Sequence, residues 1–371
     1  MDYEAENENN TLGNTRKETD KKCRNCGGTL DYNPATGRLH CPYCDSEFDI
    51  EPEQDEEEQT CASEQDFEDA EFTENFDWGA STKTIICKSC GGETIYDELT
   101  LSSVCPYCGS NQVMEVDTKK TMQPAGVVPF KVDKKTAGEK FKAWIKKKWF
   151  CPGAAKKSAQ PDSFTGVYVP MWTFDTDTTT EYSGRYGIDR TYTDSDGNTH
   201  TTTDWYRVSG THREFIDDHP VLATDRYDTK MFNGLLPFDT ANNVIFKPEY
   251  IAGFAAEKYS VGLKDGWERA KTSITALLKR NIEAEVKREH HADRADISKM
   301  ATDFAEIKYK YLLVPIWISS FRYKEKIYNF MVNGETGKTS GKTPISPWKV
   351  ALVILLILAF IAFIFWLNRN G

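Results

Sequence analysis

The chain reads Cys23-Arg-Asn-Cys26 and then, after fourteen residues, Cys41-Pro-Tyr-Cys44. The same arrangement returns 64 residues later as Cys87-Lys-Ser-Cys90, fourteen residues, and Cys105-Pro-Tyr-Cys108. Each first pair is followed by Gly-Gly, and each second pair is Cys-Pro-Tyr-Cys. A duplicated unit of four cysteines at this spacing predicts two zinc ribbons.

The chemistry of cysteine explains this spacing. Two thiolates separated by two residues can turn back onto one ion, and the Gly after the first pair allows the tight turn. Two such turns complete a tetrahedral shell of four sulfurs, which leaves no open position and therefore indicates a structural ion. We predict two structural Zn2+ ions, in ribbons over residues 21–50 and 83–116. Their ligands are Cys23, Cys26, Cys41, Cys44, Cys87, Cys90, Cys105 and Cys108.

Disulfide pairs and a thioredoxin-like redox Cys-x-x-Cys are the alternatives to zinc, but neither explains duplicated pairs at a fixed separation. Iron in a four-sulfur site is the rival metal. Two further cysteines lie outside the ribbons. We expect Cys61 to be a free exposed thiol and Cys151 to be a small buried apolar residue.

The net charge of −11 on this chain of 371 residues comes from one segment. Residues 51–80 contain thirteen Asp or Glu and no Lys or Arg, and the rest of the chain has 46 basic against 44 acidic residues. Residues 51–82 are therefore predicted to be an acidic linker between the ribbons. Scattered aromatic residues, such as Phe67 and Trp78, leave two interpretations open: a solvated spacer or an acidic–aromatic interaction tail.

The two ends of the chain differ strongly in polarity. Residues 1–20 are polar, contain no apolar signal-peptide core and are expected to be disordered. Residues 350–367 are eighteen consecutive apolar residues. As a helix they span about 27 Å, close to the roughly 30 Å of a bilayer core. We predict a single transmembrane helix over residues 349–367.

Two observations orient the predicted helix. Lys338, Lys342 and Lys349 precede it, whereas Arg369 alone follows it. The excess of positive charge on the N-terminal side places the long N-terminal part in the cytoplasm. Zinc thiolate sites also survive best in a reducing compartment. The expected location is therefore the cell membrane, with the N-terminal part cytoplasmic.

Residues 124–345 are predicted to be an α+β body made of two related halves. Val169-Pro-Met-Trp172 has an echo in Val314-Pro-Ile-Trp317, and each follows a helical pattern, at 133–149 and 263–286. Each Pro inside a strand predicts an edge or a bulge there. Residues 179–215 alternate around a Gly turn, which predicts a long antiparallel hairpin. The predicted fold class is thus multidomain: two small β zinc ribbons, the α+β body and one transmembrane helix.

Several polar features of the body have more than one interpretation. Eight lysines lie between residues 131 and 148, and two more follow at 156–157. They could form the solvated side of a helix, a phosphate-binding surface or a patch that faces anionic lipid. His200 and His212 could bind a metal ion on the hairpin, but isolated surface histidines are commoner.

No catalytic motif is recognised in the sequence. Residues 334–343 contain Gly-Lys-Thr fragments that look like a phosphate-binding loop, but the Gly that such a loop needs five residues earlier is missing. The positions in question are Val332 and Thr336. There is also no nucleophile elbow, no His-Glu-x-x-His motif and no pair of carboxylates with catalytic spacing. We therefore expect a protein that is not an enzyme.

Three further motifs support a resemblance: Leu236-Pro-Phe-Asp239, Tyr250-Ile-Ala-Gly-Phe254 and Val332-Asn-Gly-Glu-Thr-Gly-Lys338. With the ribbons, they resemble a bacterial family of membrane-anchored proteins with a TFIIB-type zinc ribbon, often labelled PriA-like or replication-factor-Y-like. The resemblance covers roughly residues 83–367. It implies work at the membrane beside SPFH-domain proteins. Helicase activity is not carried over, because this chain lacks the phosphate-binding loop.

These features predict a non-enzymatic adaptor, in which tethered ribbons dock a cytosolic or membrane protein, possibly an SPFH-domain protein, at the inner face of the bacterial cell membrane. The alternative is a nucleic-acid-binding protein tethered to the membrane. The lysines of residues 131–157 could contact phosphates, although the thirteen nearby carboxylates would repel a polyanion.

Overall fold

The computed structural model describes residues 22–50, 61–68, 82–87, 93–97, 113–115, 122–158, 164–195, 197, 199–323 and 326–370. Residues 1–20, predicted to be disordered, lie outside these ranges. The described parts form a small three-stranded sheet with a cysteine cluster, a large β-rich body and one apolar C-terminal helix.

The strands are numbered in chain order. They are β1 Asp31–Asn33, β2 Arg38–His40, β3 Glu47–Phe48, β4 Gln65–Asp66, β5 Thr82–Cys87, β6 Glu93–Asp97, β7 Val113–Glu115, β8 Gly126–Val127, β9 Thr165–Thr193, β10 Thr199–Leu222, β11 Val244–Ile245, β12 Ala255–Ala256, β13 Arg294–Tyr323, β14 Lys326–Asn333 and β15 Thr339–Gly341. The α-helices are α1 Lys134–Lys147, α2 Gly153–Ser158, α3 Thr229–Asn233, α4 Leu263–Glu289 and α5 Pro347–Asn370, and a 3-10 turn spans Pro248–Ile251.

Two long antiparallel strands form the centre of the body. β9 pairs with β13 along nearly its whole length, and Val169 lies opposite Val314 in the register. β9 also pairs with β10, so the hairpin predicted for residues 179–215 is confirmed, and it extends beyond the predicted ends on both strands. Gly197, at φ +82°, donates its N–H to the Asp194 carbonyl in the turn, a conformation that favours glycine.

Of the two predicted features, a bulge is absent at both strand prolines, whereas a local edge is present, because a gap in the neighbouring strands lies beside each proline. Pro170 and Pro315 lie in β9 and β13, and no register shift falls at either residue. On the side of each proline that faces away from the β9–β13 pair, one neighbouring strand ends and another begins. Pro170 lies between the end of β12 and the start of β10, and Pro315 lies between the end of β8 and the start of β14. The missing N–H therefore faces the gap between the two neighbouring strands, where no ladder hydrogen bond is lost.

The predicted helices are confirmed as α1 and α4. The Asp133 carboxylate caps α1 by accepting the Thr136 N–H at 2.7 Å, and Phe141 is among the residues that α1 buries against the body. The longer α4 packs on β9, β10 and β13 with a face at three- and four-residue spacing. The buried apolar residues of that face are Trp267, Ala270, Ile274, Leu278, Ile282 and Val286.

The two Val-Pro-x-Trp segments have matching surroundings. The Trp172 indole donates to the Val261 carbonyl at 2.9 Å, and the Trp317 indole donates to the Val132 carbonyl at 2.8 Å. β12 runs parallel to β9, and β8 runs parallel to β13. Both tryptophans are buried, as expected of core residues. The relation between the two halves stays a prediction.

Part of the acidic segment belongs to the body. In residues 61–68, β4 pairs antiparallel with β13, and the Phe67 ring packs 5.9 Å from the Trp267 ring. Glu64 Oε1 lies 3.6 Å from Nζ of the buried Lys310. These eight residues are therefore neither a solvated spacer nor a free tail, and the rest of the predicted linker lies outside the described residues apart from Thr82, the first residue of β5.

The C-terminal helix α5 differs from the other helices in its exposure. The stretch Pro347–Trp366 is long and apolar enough to cross a membrane, and none of its residues is buried against the body. Length, composition and exposure thus agree with the predicted span of residues 349–367.

Candidate metal centre

The first cysteine pair lies on a tight turn just before β1. The Gly27 N–H donates to the Cys23 carbonyl at 2.8 Å, and the Cys23 N–H donates to the Gly28 carbonyl at 2.7 Å. Gly27 has φ +73°, a left-handed conformation that glycine adopts easily and that fits the tight turn predicted after this pair. The turn directs Cys23 and Cys26 toward the same point.

The second pair repeats this turn without a glycine. The Asp45 N–H donates to the Cys41 carbonyl at 2.9 Å, and the Cys41 N–H donates to the Ser46 carbonyl at 2.9 Å. Asp45 has φ +57°, a left-handed conformation in which Asp is enriched among non-glycine residues. Its carboxylate lies 3.2 Å from His40 Nε2. The cysteine spacing alone does not single out Asp45, although its position matches that of Gly27 in the first pair.

The four sulfurs of these two cysteine pairs lie close enough to share one ion. Cys23 Sγ is 3.4 Å from Cys44 Sγ, Cys26 Sγ is 3.5 Å from Cys41 Sγ, and all four lie within 4.8 Å of one another. Four Zn–S bonds of about 2.3 Å in a tetrahedron place the sulfurs about 3.8 Å apart. The four cysteines could therefore hold one metal ion.

The four cysteines differ in their exposure and in their hydrogen bonds. Cys23 and Cys41 are buried, whereas Cys26 and Cys44 are exposed. The Ser46 hydroxyl and backbone N–H, followed by the neighbouring sulfurs, lower the pKa of Cys44 to about 6. At Cys26 a hydrogen bond from Gly28 favours the thiolate, but the sulfurs of Cys44 and Cys41 outweigh it and raise the pKa to about 12. The cluster thus shares its protons unevenly, and a bound ion would deprotonate all its ligands.

The small sheet with the cysteine cluster, which is the predicted first ribbon, packs directly on the body. Tyr32 of β1 is buried, its N–H donates to the Ala252 carbonyl at 3.1 Å, and its ring lies 5.8 Å from the Tyr250 ring. Burial, with a smaller contribution from Tyr250, raises the pKa of Tyr32 to about 12. Ala252 also joins Cys23 and Cys41 in one apolar cluster. Residues in the motif at 250–254 therefore hold the predicted first ribbon on the body, whereas the sequence predicted that the ribbons are tethered.

The second set of cysteines lies mostly outside the described residues. Cys87 is the last residue of β5, while Cys90, Cys105 and Cys108 fall in undescribed stretches. The backbone of this region forms antiparallel pairs of β5 with β6 and of β5 with β7. β6 also pairs with β12 through Ile95 and Ala256. Strands from both predicted ribbons thus meet residues 250–256 of the body.

The hairpin histidines do not meet. His200 lies 2.7 Å from an Asp194 oxygen near the turn. His212 lies between Glu285 at 2.6 Å and Glu214 at 2.9 Å. Burial lowers the pKa of His212, but its two carboxylate partners outweigh burial and raise it. Among the described residues, the group whose ligand atoms lie close enough to hold one metal ion is the cluster of four cysteines.

The Gly-Lys-Thr region holds a loop in place. The Asn333 side chain donates to the carbonyls of Leu235 and Pro237 at 3.1 Å each. Glu335 accepts from the Lys131 ammonium and from the Asp239 N–H, both at 2.8 Å. The motifs at residues 236–239 and 332–338 are therefore partners in one hydrogen-bond network.

The remaining cysteines lie where sequence analysis expected them. Cys61 is exposed and not disulfide-bonded. Cys151 is fully buried in the main core, and burial raises its pKa.

Comparison with known proteins adds a relative but no activity. A protein of Bacillus subtilis (strain 168) described as uncharacterized protein YdjG is 26% identical over 344 residues, which cover 89% of this chain and 91% of that protein. No family model matches the chain. No solved structure matches it either. The chain is thus similar along nearly its whole length to a protein whose name states no function.

Proposed function

We propose that this protein is a membrane-anchored, non-enzymatic zinc-ribbon adaptor that docks protein partners at the inner face of the bacterial cell membrane. One observation carries the proposal: a closed cluster of four cysteine sulfurs is packed on a body whose chain ends in an exposed apolar helix. A metal-stabilised surface held near a bilayer suits an adaptor.

The proposed ion is zinc, and the proposed number of ions is two. Four thiolate ligands without an open position are typical of structural zinc, and the spacing of the second set repeats the first. When bound, the ion would supply folding energy rather than reaction chemistry, about 10–16 kcal/mol in comparable small zinc domains. Cys23, Cys26, Cys41 and Cys44 would hold the first ion.

The proposed docking residue of the first ribbon is Tyr43. It lies between Cys41 and Cys44 and is 74% exposed. Its ring lies over Gly28, where a Cβ atom would come within 2.5 Å of the ring. Exposed aromatic residues on a well-fixed backbone are frequent anchors of protein interfaces. The second ribbon has a Tyr at the matching position, residue 107.

Membrane anchoring and orientation complete the proposal. Helix α5 would cross the membrane once, and the lysines before it would keep the body in the cytoplasm. The resemblance to TFIIB-type zinc-ribbon proteins suggests an SPFH-domain protein as the partner.

Crosslinking in intact cells tests the adaptor. Partners of the wild-type chain would be identified by mass spectrometry and compared with those of Tyr43→Ala. Tyr192→Ala, which removes a tyrosine that is 54% exposed on the distant hairpin, is the matched control. We expect Tyr43→Ala to lose partners at unchanged zinc content, while Tyr192→Ala keeps them. Equal recovery from both variants would contradict the proposed docking residue.

Nucleic-acid binding is the second candidate. Residues 140–158 contain seven lysines and no carboxylate, a favourable composition for phosphate contacts. Binding of a DNA duplex by the solubilised full chain, with a steep loss of affinity as salt is added, would support this candidate. No measurable binding at about 50 mM salt would end it.

A further inference from the structure

The loop after α1 is fastened to the start of α5. The Ser346 N–H donates to the Phe150 carbonyl at 2.9 Å. The Lys349 ammonium donates to the Trp149 carbonyl at 2.7 Å and to the Cys151 carbonyl at 3.2 Å. Three hydrogen bonds therefore join residues 149–151 to the first turn of the apolar helix and to the residue before it.

Apolar side chains project from this junction. Trp149 is 50% exposed, Phe150 is 42% exposed, and Ile345 and Trp348 are each 65% exposed. The Lys349 ammonium lies 5.6 Å from the centre of the Trp149 ring and 6.0 Å from that of Trp348. Tryptophan next to lysine at the end of an apolar helix is typical of the membrane–water interface.

The surface around the junction is basic. Lys146 and Lys147 end α1 and Lys148 follows it directly; all three are exposed, and so is Lys157 of α2. Residues 140–158 and 336–371 contain no Asp or Glu. Lys156 folds back toward α1, since its ammonium donates to the Lys146 carbonyl at 3.1 Å. The positive charge near the start of α5 is thus not neutralised by carboxylates of its own segments.

We propose that Trp149, Phe150 and the lysines of residues 146–148 form a second membrane contact, which inserts the aromatic rings at the interface and binds anionic lipid headgroups. The proposal rests on the membrane anchoring by α5 proposed above. Its occupant is an anionic leaflet, because the patch combines exposed rings with ammonium groups that are paired with no carboxylate of the described residues, and it continues into an apolar helix. The contact would fix the orientation of the body, and with it the ribbon, relative to the membrane.

The test uses the full chain in nanodiscs that contain brominated lipids, which quench tryptophan fluorescence. The fluorescence of the wild-type chain minus that of Trp149→Phe gives the signal of Trp149 alone. We expect that signal to be quenched in discs with phosphatidylglycerol, and less in discs of phosphatidylcholine only. Each lysine near an anionic leaflet contributes about a fivefold preference. Lys146→Gln, Lys147→Gln and Lys148→Gln together should therefore return the quenching to the level of neutral discs.

A matched control removes the same charge from α4. Lys264→Gln, Lys279→Gln and Lys287→Gln change a helix that packs on β9, β10 and β13, and they should leave the quenching unchanged. Equal quenching of Trp149 in both kinds of disc would overturn the role of anionic headgroups, and no quenching in either would overturn the contact itself.

Two further outcomes distinguish this lipid contact from a failed anchor and from nucleic-acid binding. A chain that fails to enter discs at all would contradict the membrane anchor instead. DNA binding that the α1 substitutions abolish, with Trp149 unquenched, would assign the lysines to nucleic acid and overturn the contact with lipid.

Discussion

Trp172 and Trp317 make equivalent hydrogen bonds, each to the segment that leads into one of the two long helices. Each indole N–H donates to a carbonyl that lies two residues before a long helix: Val261 before α4 and Val132 before α1. The tryptophan of one Val-Pro-x-Trp segment thus holds the helix that precedes the other segment. The two helices are fixed to the central strands by equivalent contacts.

The first prediction concerns these two indoles. Trp172→Phe and Trp317→Phe each remove a buried donor and leave a buried carbonyl unpaired, so each should lower the free energy of unfolding by about 1–3 kcal/mol. Trp205→Phe, which alters a tryptophan 41% exposed on the hairpin, should change it by less than about 0.5 kcal/mol. Denaturant unfolding of the solubilised chain, followed by circular dichroism, measures all three. A large loss at one indole only would show that their roles differ.

The second prediction concerns the metal centre. Cys41→Ser removes a fully buried ligand, so the zinc content of the purified chain should fall by about one ion per chain. Cys61→Ser changes an exposed cysteine outside the cluster and should leave the zinc content unchanged. Elemental analysis by atomic emission measures both variants. Full zinc content in Cys41→Ser would contradict the assignment of the ligands.

The sequence predicted the features that depend on local spacing. Two residues between Cys41 and Cys44 are enough to form a turn, and the helical period of α1 and α4 is set by neighbouring turns of one segment. The alternation of Thr and Tyr around Gly197 likewise predicted the hairpin. These patterns need no information about distant parts of the chain.

Features that depend on distant contacts were missed or wrongly predicted. The Tyr32 N–H donates to the carbonyl of Ala252, which lies more than two hundred residues away in the chain. No pattern near the predicted first ribbon therefore signals that this part of the chain packs on the body. Gln65–Asp66 has little intrinsic preference for strand, and β4 forms because Lys308 and Tyr309 of β13 offer backbone partners there. Pro170 fits within β9 because β12 ends before its position and β10 begins after it, a gap made by strands that are distant in sequence.

The third prediction concerns pH. Burial, opposed by the Asp218 N–H and reinforced by Glu64, raises the pKa of Asp175 from 3.8 to about 7. A carboxyl group with a raised pKa in the folded state contributes stability below its unfolded pKa and loses it as pH rises through the folded pKa. The contact of residues 61–68 with the body should therefore weaken between about pH 4 and pH 7. Hydrogen exchange of Phe67 and its neighbours across this range measures the effect.

The control for this prediction is Asp175→Asn, which imitates the protonated carboxyl and keeps an acceptor for the Asp218 N–H. This variant should exchange slowly at all pH values in the range. Lys310 lies between Asp218 at 2.6 Å and Glu64 at 3.6 Å, and it stays charged throughout because these carboxylates, against the cost of burial, raise its pKa. A pH dependence that persists in Asp175→Asn would assign the effect to another group.

The fourth prediction concerns the orientation of α5. Cys61 is an exposed thiol in the part of the chain that we place in the cytoplasm. A maleimide that cannot cross membranes should label Cys61 only after the cells are permeabilised, and the label that is lost in Cys61→Ser is the part that belongs to Cys61 rather than to the exposed Cys26 and Cys44. A cysteine placed after α5 by Gly371→Cys should react in intact cells. A single crossing by α5 places the residues before the helix and the residue after it on opposite sides of the membrane. Labelling of Cys61 before permeabilisation would reverse the orientation, and labelling of both residues on one side would exclude a single crossing.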